Sequence, residues 1–130
     1  VFTLVDTALL GEAERAVRIL YGLRSEGVEP VLVLWALGRE IRSLTGMSRA
    51  LQQGQAMGQV LGQYRVWDKR KPPVQAGLKR YPQKRWQGML WQVGEIERVI
   101  KGQATGKPWD ELLQLTLKIA GAPLFKAASA

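Results

Sequence analysis

Residues 30–51 read PVLVLWALGREIRSLTGMSRAL, and this segment gives the strongest indication of the fold. Pro30 suits the first position of a helix, because the N–H that proline lacks has no partner there. The run from Val31 to Leu37 is apolar on nearly all sides, which predicts a helix at the centre of the domain. The apolar side chains beyond it continue a single stripe of the same helix: Ile41, Leu44, Met47 and Leu51.

Two helices are predicted before this stretch. Thr3 and Asp6 have the spacing of a capping box, which indicates a short helix that runs to about Leu10. Gly11 ends that helix, and Gly27 ends the next one as a left-handed C-cap. The second helix carries apolar residues on one face at steps of three and four: Ala13, Ala16, Val17, Leu20 and Leu23.

The segment that follows the central stretch predicts weaker structure. Interior glycines make a helix between Gln52 and Gln63 short and poorly stable, since each costs about 1 kcal/mol relative to alanine. Its packing side chains are expected to be Met57, Val60 and Leu61. The pair Pro72-Pro73 predicts a helix break, after which another short helix runs through Ala76 and Leu78.

The last quarter of the chain predicts two well-bounded helices. Pro82 begins the first, and Gly102 ends it. Its apolar face comprises Trp86, Met89, Leu90, Val93, Ile96 and Ile100. A flexible loop then leads to Pro108, the first residue of a final helix that Gly121 and Pro123 stop.

These patterns together predict an all-α fold, a single compact bundle of about six or seven helices in one domain over residues 1–130. No alternating apolar and polar stretch is long enough to indicate a strand. A hydrophobic content of 46% with 23% charged residues is ordinary for a globular domain. The longest apolar run has seven residues, against the roughly 20 that a membrane helix needs. Because the chain opens without methionine, we expect it to be a fragment of a longer protein.

The composition argues against enzymatic chemistry. The chain has no cysteine and no histidine, so it lacks thiolate nucleophiles, the commonest general base and the commonest metal ligand. It also lacks a phosphate-binding loop. The acidic pairs Glu95/Glu97 and Asp110/Glu111 are explained by helix pairing and helix starts. We therefore predict no catalytic residue, no cofactor site and no metal site.

The positive charge is strongly localised. The chain carries a net charge of +8, with 19 basic and 11 acidic residues. Eight of the basic residues and one acid, Asp68, lie between residues 65 and 85, so the rest of the chain is nearly neutral. Such a stretch favours an anionic partner, although basic runs are also common as solvated surface. Its basic residues are Arg65, Lys69, Arg70, Lys71, Lys79, Arg80, Lys84 and Arg85.

The five tryptophans have different expected roles. Trp35, Trp86 and Trp109 occupy helix positions that suit the core. Trp91 lies off the apolar stripe of its helix and is a candidate for contact with a partner subunit. Trp67 either stacks on a nucleobase or anchors its loop to the bundle. The second role is favoured because an indole in a loop usually packs into a hydrophobic pocket.

Several short motifs lie along the chain, each of them once. The opening is Phe2-x-Leu4-x-Asp6-x-Ala8-Leu9-x-Gly11, and Ala16-x-x-Ile19-Leu20-x-x-Leu23-x-x-x-Gly27-x-Glu29-Pro30 follows it. Further along lie Leu37-x-Arg39-Glu40, then Arg65-Val66-Trp67 with Arg70, then Leu78-x-Arg80, and Trp109 at the head of the last helix. In order and separation these motifs resemble the C-terminal domain of bacterial DNA polymerase III delta subunits, over essentially the whole chain.

The resemblance implies a helical collar domain of a clamp loader, which places the sliding clamp on primed DNA during replication in the bacterial cytoplasm. Its expected partners are the gamma/tau and delta-prime subunits and primer–template DNA, bound without sequence preference. The sliding clamp would be reached only through an absent N-terminal part. The domain itself is expected to be non-catalytic, although the holoenzyme of that family is a DNA-directed DNA polymerase. No membrane role is implied.

Two residue sets follow as candidates. All eight basic residues of the stretch from Arg65 to Arg85 are candidates to face DNA or an acidic partner. Replacing Arg70, Lys71, Lys79 and Arg80 together is expected to weaken clamp loading and leave the fold intact. The candidate subunit interface lies on the helix that carries Trp86 and on the helix that begins at Pro108. Its residues are Trp91, Val99, Leu115 and Leu117. The alternative reading is a self-sufficient basic helical module that binds nucleic acid, and a small helical enzyme ranks last.

Overall fold

The computed structural model describes residues 2–122, which form seven α-helices and one 3-10 turn. The helices are α1 (Phe2–Leu9), α2 (Ala13–Ser25), α3 (Pro30–Gln52), α4 (Met57–Gln63), α5 (Lys71–Arg80), α6 (Gln83–Ile100) and α7 (Pro108–Ala120), and the 3-10 turn is Asp68–Arg70. There is no strand among these residues. The predicted all-α bundle of six or seven helices is confirmed.

The long helix α3 is the centre of the bundle, as residues 30–51 predict. It packs most extensively on α6 and also touches α1, α4, α5 and α7. Gly38 lets the two long helices approach closely, since a Cβ there would lie 3.1 Å from Cγ1 of Val93. The side chains that α3 buries include Val33, Leu34, Leu37, Ile41, Leu44 and Met47.

One side of α3 nevertheless faces solvent. Leu32 is 48% exposed and Trp35 is 55% exposed, so the prediction that Trp35 belongs to the core is wrong. A helix can bury only the sides that neighbouring elements cover, and no described element covers this one. The other two tryptophans expected in the core differ, because Trp86 is fully buried and Trp109 packs half-buried against the core.

Trp86 anchors the side of the core where α1, α5 and α6 meet. The ring of Tyr81 meets it edge-on, with centroids 5.6 Å apart. Gly77 allows α5 to pack close, because a Cβ there would lie 2.8 Å from Cδ2 of Leu9 and 3.4 Å from Cζ2 of Trp86. Any larger residue at position 77 would push these elements apart.

Most predicted helix ends are confirmed. Gly27 and Gly121 follow their helices with φ of 81° and 76°, the left-handed region in which glycine is favoured. Pro30 and Pro108 are the first residues of α3 and α7. The predicted stop at Pro123 lies outside the described residues.

Two predicted helix boundaries are wrong. Because α1 begins at Phe2, Thr3 is inside the helix, and the side chain of Asp6 accepts hydrogen bonds from Arg70 instead of capping the helix. Pro72 and Pro73 lie in the first turn of α5, where backbone N–H groups have no helical partner, so they begin a helix and do not break one.

Candidate nucleic-acid and subunit interface

Five of the eight predicted basic residues are exposed to solvent. They form two clusters, which we call the Trp67 cluster (Arg65 and Lys69) and the turn cluster (Lys79, Lys84 and Arg85). Residues 71–78 of α5 lie between the clusters and span about 12 Å, at 1.5 Å per residue. The basic stretch is therefore two surfaces at opposite ends of α5, and the other three basic residues have partners within the chain.

Arg70 forms an ion triad with two other elements. Its Nε and Nη2 lie 3.0 Å and 2.7 Å from Oδ1 of Asp6 on α1, and Nη2 lies 3.1 Å from Oε1 of Glu40 on α3. Burial lowers the pKa of Arg70, but the hydrogen bonds and charges of the two carboxylates raise it more, so the pKa lies above its ordinary value. Only 22% of this side chain is exposed. The prediction that Arg70 faces DNA is wrong, because its guanidinium ties α1, α3 and the 3-10 turn together.

Arg80 closes the ends of two helices. Its Nη1 donates hydrogen bonds to the carbonyl oxygens of Leu9 (2.9 Å) and Ile119 (3.1 Å), at the C-termini of α1 and α7. Both carbonyls lie at the negative ends of helix dipoles, where a cation is favourable. Gly121 makes room for the arginine, since a Cβ there would lie 2.8 Å from its Cδ. The prediction that Arg80 faces DNA is also wrong.

The remaining basic residues keep their charge near the surface. Lys71 pairs with the exposed Asp68 at 3.0 Å, so part of its charge is neutralised locally. In the turn cluster, the guanidinium of Arg85 lies over the ring of Tyr81, 4.6 Å from its centroid. The hydroxyl of Tyr81 donates to the carbonyl of Lys118 at 2.8 Å, which fixes the ring under the arginine.

Trp67 is the most exposed large hydrophobic residue in the described part of the chain, at 77%. Trp67 lines a cleft of about 440 Å³ together with Met47, Tyr64, Arg65 and Lys69. The prediction that Trp67 anchors its loop is wrong, because its neighbour Val66 packs against the core instead. The indole is held outward by the 3-10 turn, in which the N–H of Arg70 donates to the carbonyl of Trp67 at 2.8 Å.

Arg65 sets this orientation by ending α4 in a left-handed conformation. Its φ is 55°, and among residues 2–122 no other residue except glycine has a positive φ. The N–H of Arg65 donates to Gly62 and the N–H of Val66 donates to Leu61, at 3.1 Å and 3.0 Å, which closes the helix end. The chain reverses there, so Val66 points into the core and Trp67 points out.

Replacing Arg65 with glycine is expected to raise the free energy of unfolding by about 1 kcal/mol, because a residue with a Cβ is disfavoured in the left-handed region. Urea denaturation measures the change. The control is Arg65→Ala, which removes the guanidinium and keeps the Cβ, and it should give no such gain. Equal effects of glycine and alanine would contradict this account of the helix end.

The predicted subunit-interface residues do not share one surface. Trp91 is 70% exposed. Gly88 and Gly94 lie one turn before and after it, and nothing lies within 4 Å of where their Cβ atoms would be. Val99 is half-buried against the loop at Gly106. The remaining two positions are buried in the chain's own bundle: Leu115 at 0% and Leu117 at 6% exposure.

Leu115 and Leu117 are therefore wrong as surface residues, because the inward face of α7 buries both. The exposed pair Leu32 and Trp35 was not predicted from the sequence. Their signal was present, since the two are three residues apart and precede arginines on the same stripe of α3. The apolar residues on all sides of this segment made the exposed stripe impossible to distinguish from the buried one in the sequence.

Two further properties of residues 2–122 bear on function. No three acidic side chains come together there in the way that a bound cation would require. None of the described helices combines the length and the apolar character needed to cross a bilayer.

Fold and surface together define an all-α domain with two exposed basic clusters and three exposed tryptophans. A sequence profile described as "Processivity clamp loader gamma complex DNA pol III C-term" matches residues 1–126, and the chain belongs to this family. The family resemblance inferred from the motifs is thereby confirmed.

Two relatives give the same assignment. The chain is 29% identical over 126 residues to DNA polymerase III subunit delta of Haemophilus influenzae, covering 91% of this chain and 37% of that protein. It is 31% identical over 123 residues to DNA polymerase III subunit delta of Escherichia coli K12, covering 95% and 36%. The chain thus spans a little over a third of the length of these curated relatives.

Proposed function

We propose that this chain is a non-catalytic collar domain of a DNA polymerase III clamp loader. It assembles with the gamma/tau and delta-prime subunits so that the sliding clamp is placed on primed DNA in the bacterial cytoplasm. It works without a cofactor or metal of its own. Contact with the clamp belongs to a part of the delta subunit outside this chain. The observation that carries the proposal is the family match over residues 1–126.

Exposed apolar side chains support the assembly role. Trp35, Trp91 and Leu32 are each about half exposed or more on the two longest helices. Tryptophan is enriched at the energetic centres of protein interfaces, and its exposure in an isolated domain is unfavourable. Of the interface residues predicted from the sequence, Trp91 remains a candidate because it is exposed. Val99 is only half-buried and offers less surface than Trp91.

Size-exclusion chromatography of the chain with purified gamma/tau and delta-prime subunits tests the assembly role. We expect the chain to co-elute with these subunits, because subunit assembly is the activity proposed. Lysozyme, which is also small and basic, serves as the control for adhesion through charge alone. Elution of the chain at its own volume in every mixture would contradict the proposal.

The DNA contact is proposed for the two basic clusters and Trp67. Lys79, Lys84 and Arg85 of the turn cluster are exposed on either side of the turn that joins α5 to α6, where phosphates can reach them. At the other end of α5, Trp67 and Arg65 offer a ring and a cation, the combination that stacks bases and neutralises phosphates in single-strand binding. Neither cluster contains a pattern for base readout, so the expected binding is independent of sequence.

Removing the turn cluster is expected to weaken DNA binding and reduce its salt dependence. The triple variant K79Q/K84Q/R85Q should make the negative slope of log K against log salt shallower by about 2 to 3, since each phosphate contact contributes about −0.9. Fluorescence anisotropy with primed DNA measures the slope for the assembled complex. The matched control is R18Q/R49Q/K107Q, which removes the same charge from exposed positions elsewhere. Equal slopes for the two variants would contradict a DNA role for the cluster.

The alternative function is a self-sufficient nucleic-acid-binding module, which the exposed Trp67 and its basic neighbours favour. The two functions differ in what the isolated chain does. A module binds DNA tightly by itself, with a steep salt dependence. A collar domain binds DNA weakly alone and gains affinity in the assembly.

A further inference from the structure

The outward side of α3 carries an apolar pair followed by two arginines. Leu32 and Trp35 are exposed and three residues apart, so they lie on one stripe of the helix. Arg39 and Arg42 continue the same stripe, four and seven residues after Trp35, and both are exposed. We call these four residues the α3 face. It extends over about 15 Å, which is ten residues at 1.5 Å each.

A groove runs beside the α3 face. It has a volume of about 390 Å³ and lies between α3 and α6. Leu34, Gly38 and Val93 form its apolar base, and the α3 face supplies Trp35, Arg39 and Arg42 as one wall. Gly38 lets α6 lie close to α3 at the base of the groove, since a Cβ there would lie 3.1 Å from Cγ1 of Val93. A ridge of apolar side chains from another helix can lie in such a groove.

The charge along the groove is mainly positive. In the described part of the chain, no carboxylate pairs with Arg39 or Arg42. Glu97 is the acid on the opposite wall, and its Oε2 lies 3.4 Å from Nζ of Lys101, which offsets its charge. The groove therefore combines an apolar base with two arginines that are free to pair with acidic groups of another molecule.

This combination favours one kind of occupant. A second copy of the chain is disfavoured, because each copy carries +8 and a twofold contact would bring the arginines of both copies together. Nucleic acid would satisfy the arginines but leave the exposed Leu32 without an apolar partner. A helix with apolar and acidic side chains on one face satisfies both requirements.

We propose that the α3 face binds an acidic amphipathic helix of a partner clamp-loader subunit. Trp35 and Leu32 pack on its apolar residues, and Arg39 and Arg42 pair with its carboxylates. This inference rests on the proposed assembly function and names the surface that carries it. The two arginines are one helical turn apart, so the partner needs acids at a spacing of three or four residues.

Site-directed photocrosslinking tests the proposal directly. The chain has no cysteine, so a single introduced cysteine carries a benzophenone label at a unique position. Arg39→Cys places the label on the α3 face, and Glu14→Cys places it on the exposed side of α2 as the control. In the complex with gamma/tau and delta-prime subunits, the label at position 39 should crosslink to an acidic helix of one subunit. The label at position 14 should not.

The outcomes separate this inference from the proposed function. If the complex forms and position 39 crosslinks no partner helix, or crosslinks DNA or a second copy, the α3 face is not the contact and the inference is overturned. If the complex does not form at all in size-exclusion chromatography, the proposed function fails first and the inference falls with it.

Substitutions on the α3 face give a second test. The variants Trp35→Ala and R39E/R42E should each weaken assembly at least tenfold, measured as the Kd for the partner subunits. The control R18E/R49E reverses two exposed charges elsewhere and should leave Kd unchanged. All these side chains are exposed, so thermal melting should show the fold intact. Unchanged affinity in both α3 variants would overturn the proposal.

Discussion

Replacing Arg80 with alanine is expected to lower the free energy of unfolding by about 3 kcal/mol. The change removes both hydrogen bonds from Nη1, to the carbonyls of Leu9 and Ile119. Hydrogen bonds to a charged group contribute about 1.5–3 kcal/mol, and the two part-buried carbonyls would be left without this donor. The space beside Gly121 that the side chain fills would also open. Urea denaturation followed by circular dichroism measures the loss.

The neighbouring residue provides the matched control. Lys79 is exposed on the same turn of α5, and Lys79→Ala should change stability by no more than about 0.5 kcal/mol. Arg80→Lys keeps the charge but lacks the planar fork that reaches two carbonyls, so it should recover only part of the loss. If Arg80→Ala were as mild as Lys79→Ala, Arg80 would be a surface cation after all.

Replacing Arg70 with alanine is the second large effect, with an expected loss of about 2–3 kcal/mol. The side chains of Asp6 and Glu40 would keep their negative charges beside each other, with only 28% and 13% of their surfaces exposed. Removing one partner of a buried ion pair is strongly destabilising, because the other charge stays desolvated. Because the triad is partly exposed, the expected loss of stability is smaller than for a fully buried ion pair.

A double-mutant cycle identifies the triad as the cause. Asp6→Asn and Arg70→Ala should be non-additive by about 1 kcal/mol, because both remove the same interaction. The control pair is Asp6→Asn with Lys69→Ala, since Lys69 is exposed and has no ion pair with Asp6. Additive effects of Asp6→Asn and Arg70→Ala would show that the ion pair contributes nothing to stability.

These two arginines change how the basic stretch must be tested. The sequence predicts that replacing Arg70, Lys71, Lys79 and Arg80 together leaves the fold intact, and for Arg70 and Arg80 the structure contradicts this. A loss of clamp loading in that variant would report unfolding as much as lost DNA contact. Substitutions in the Trp67 cluster and the turn cluster avoid this confusion.

The helices were predictable because their signals are local. Pro30 and Pro108 begin helices and Gly27 and Gly121 end them through conformational preferences of single residues. The buried stripe that includes Trp86 follows directly from helical spacing.

The roles of individual side chains were less predictable, since they depend on distant partners. Arg70 meets Asp6 across 64 residues, and Arg80 meets the carbonyl of Leu9 across 71. A count of charges does not separate such arginines from exposed ones. The orientation of Trp67 depends on the left-handed backbone of Arg65, which residue preferences would assign to glycine or asparagine.

The burial of Trp35 was predicted wrongly because the sequence does not show which sides of α3 are covered by other helices. Periodicity identifies a helix that is apolar on all sides, and such a helix is expected to be buried. In a bundle of this size, described elements cover the side of α3 that carries Leu37 and leave the side that carries Trp35 exposed. An uncovered apolar side of this kind is itself a sign of assembly with other chains.

Calorimetric titration at physiological salt is the most direct test that this chain assembles with clamp-loader subunits. The chain is titrated into a mixture of gamma/tau and delta-prime subunits, and separately into primed DNA. We expect saturable binding to the subunits with a Kd at or below about 1 μM, as for a specific interface. Binding to DNA is expected to be at least tenfold weaker. Tight binding to DNA with no binding to the subunits would contradict the collar assignment and establish the nucleic-acid-binding module.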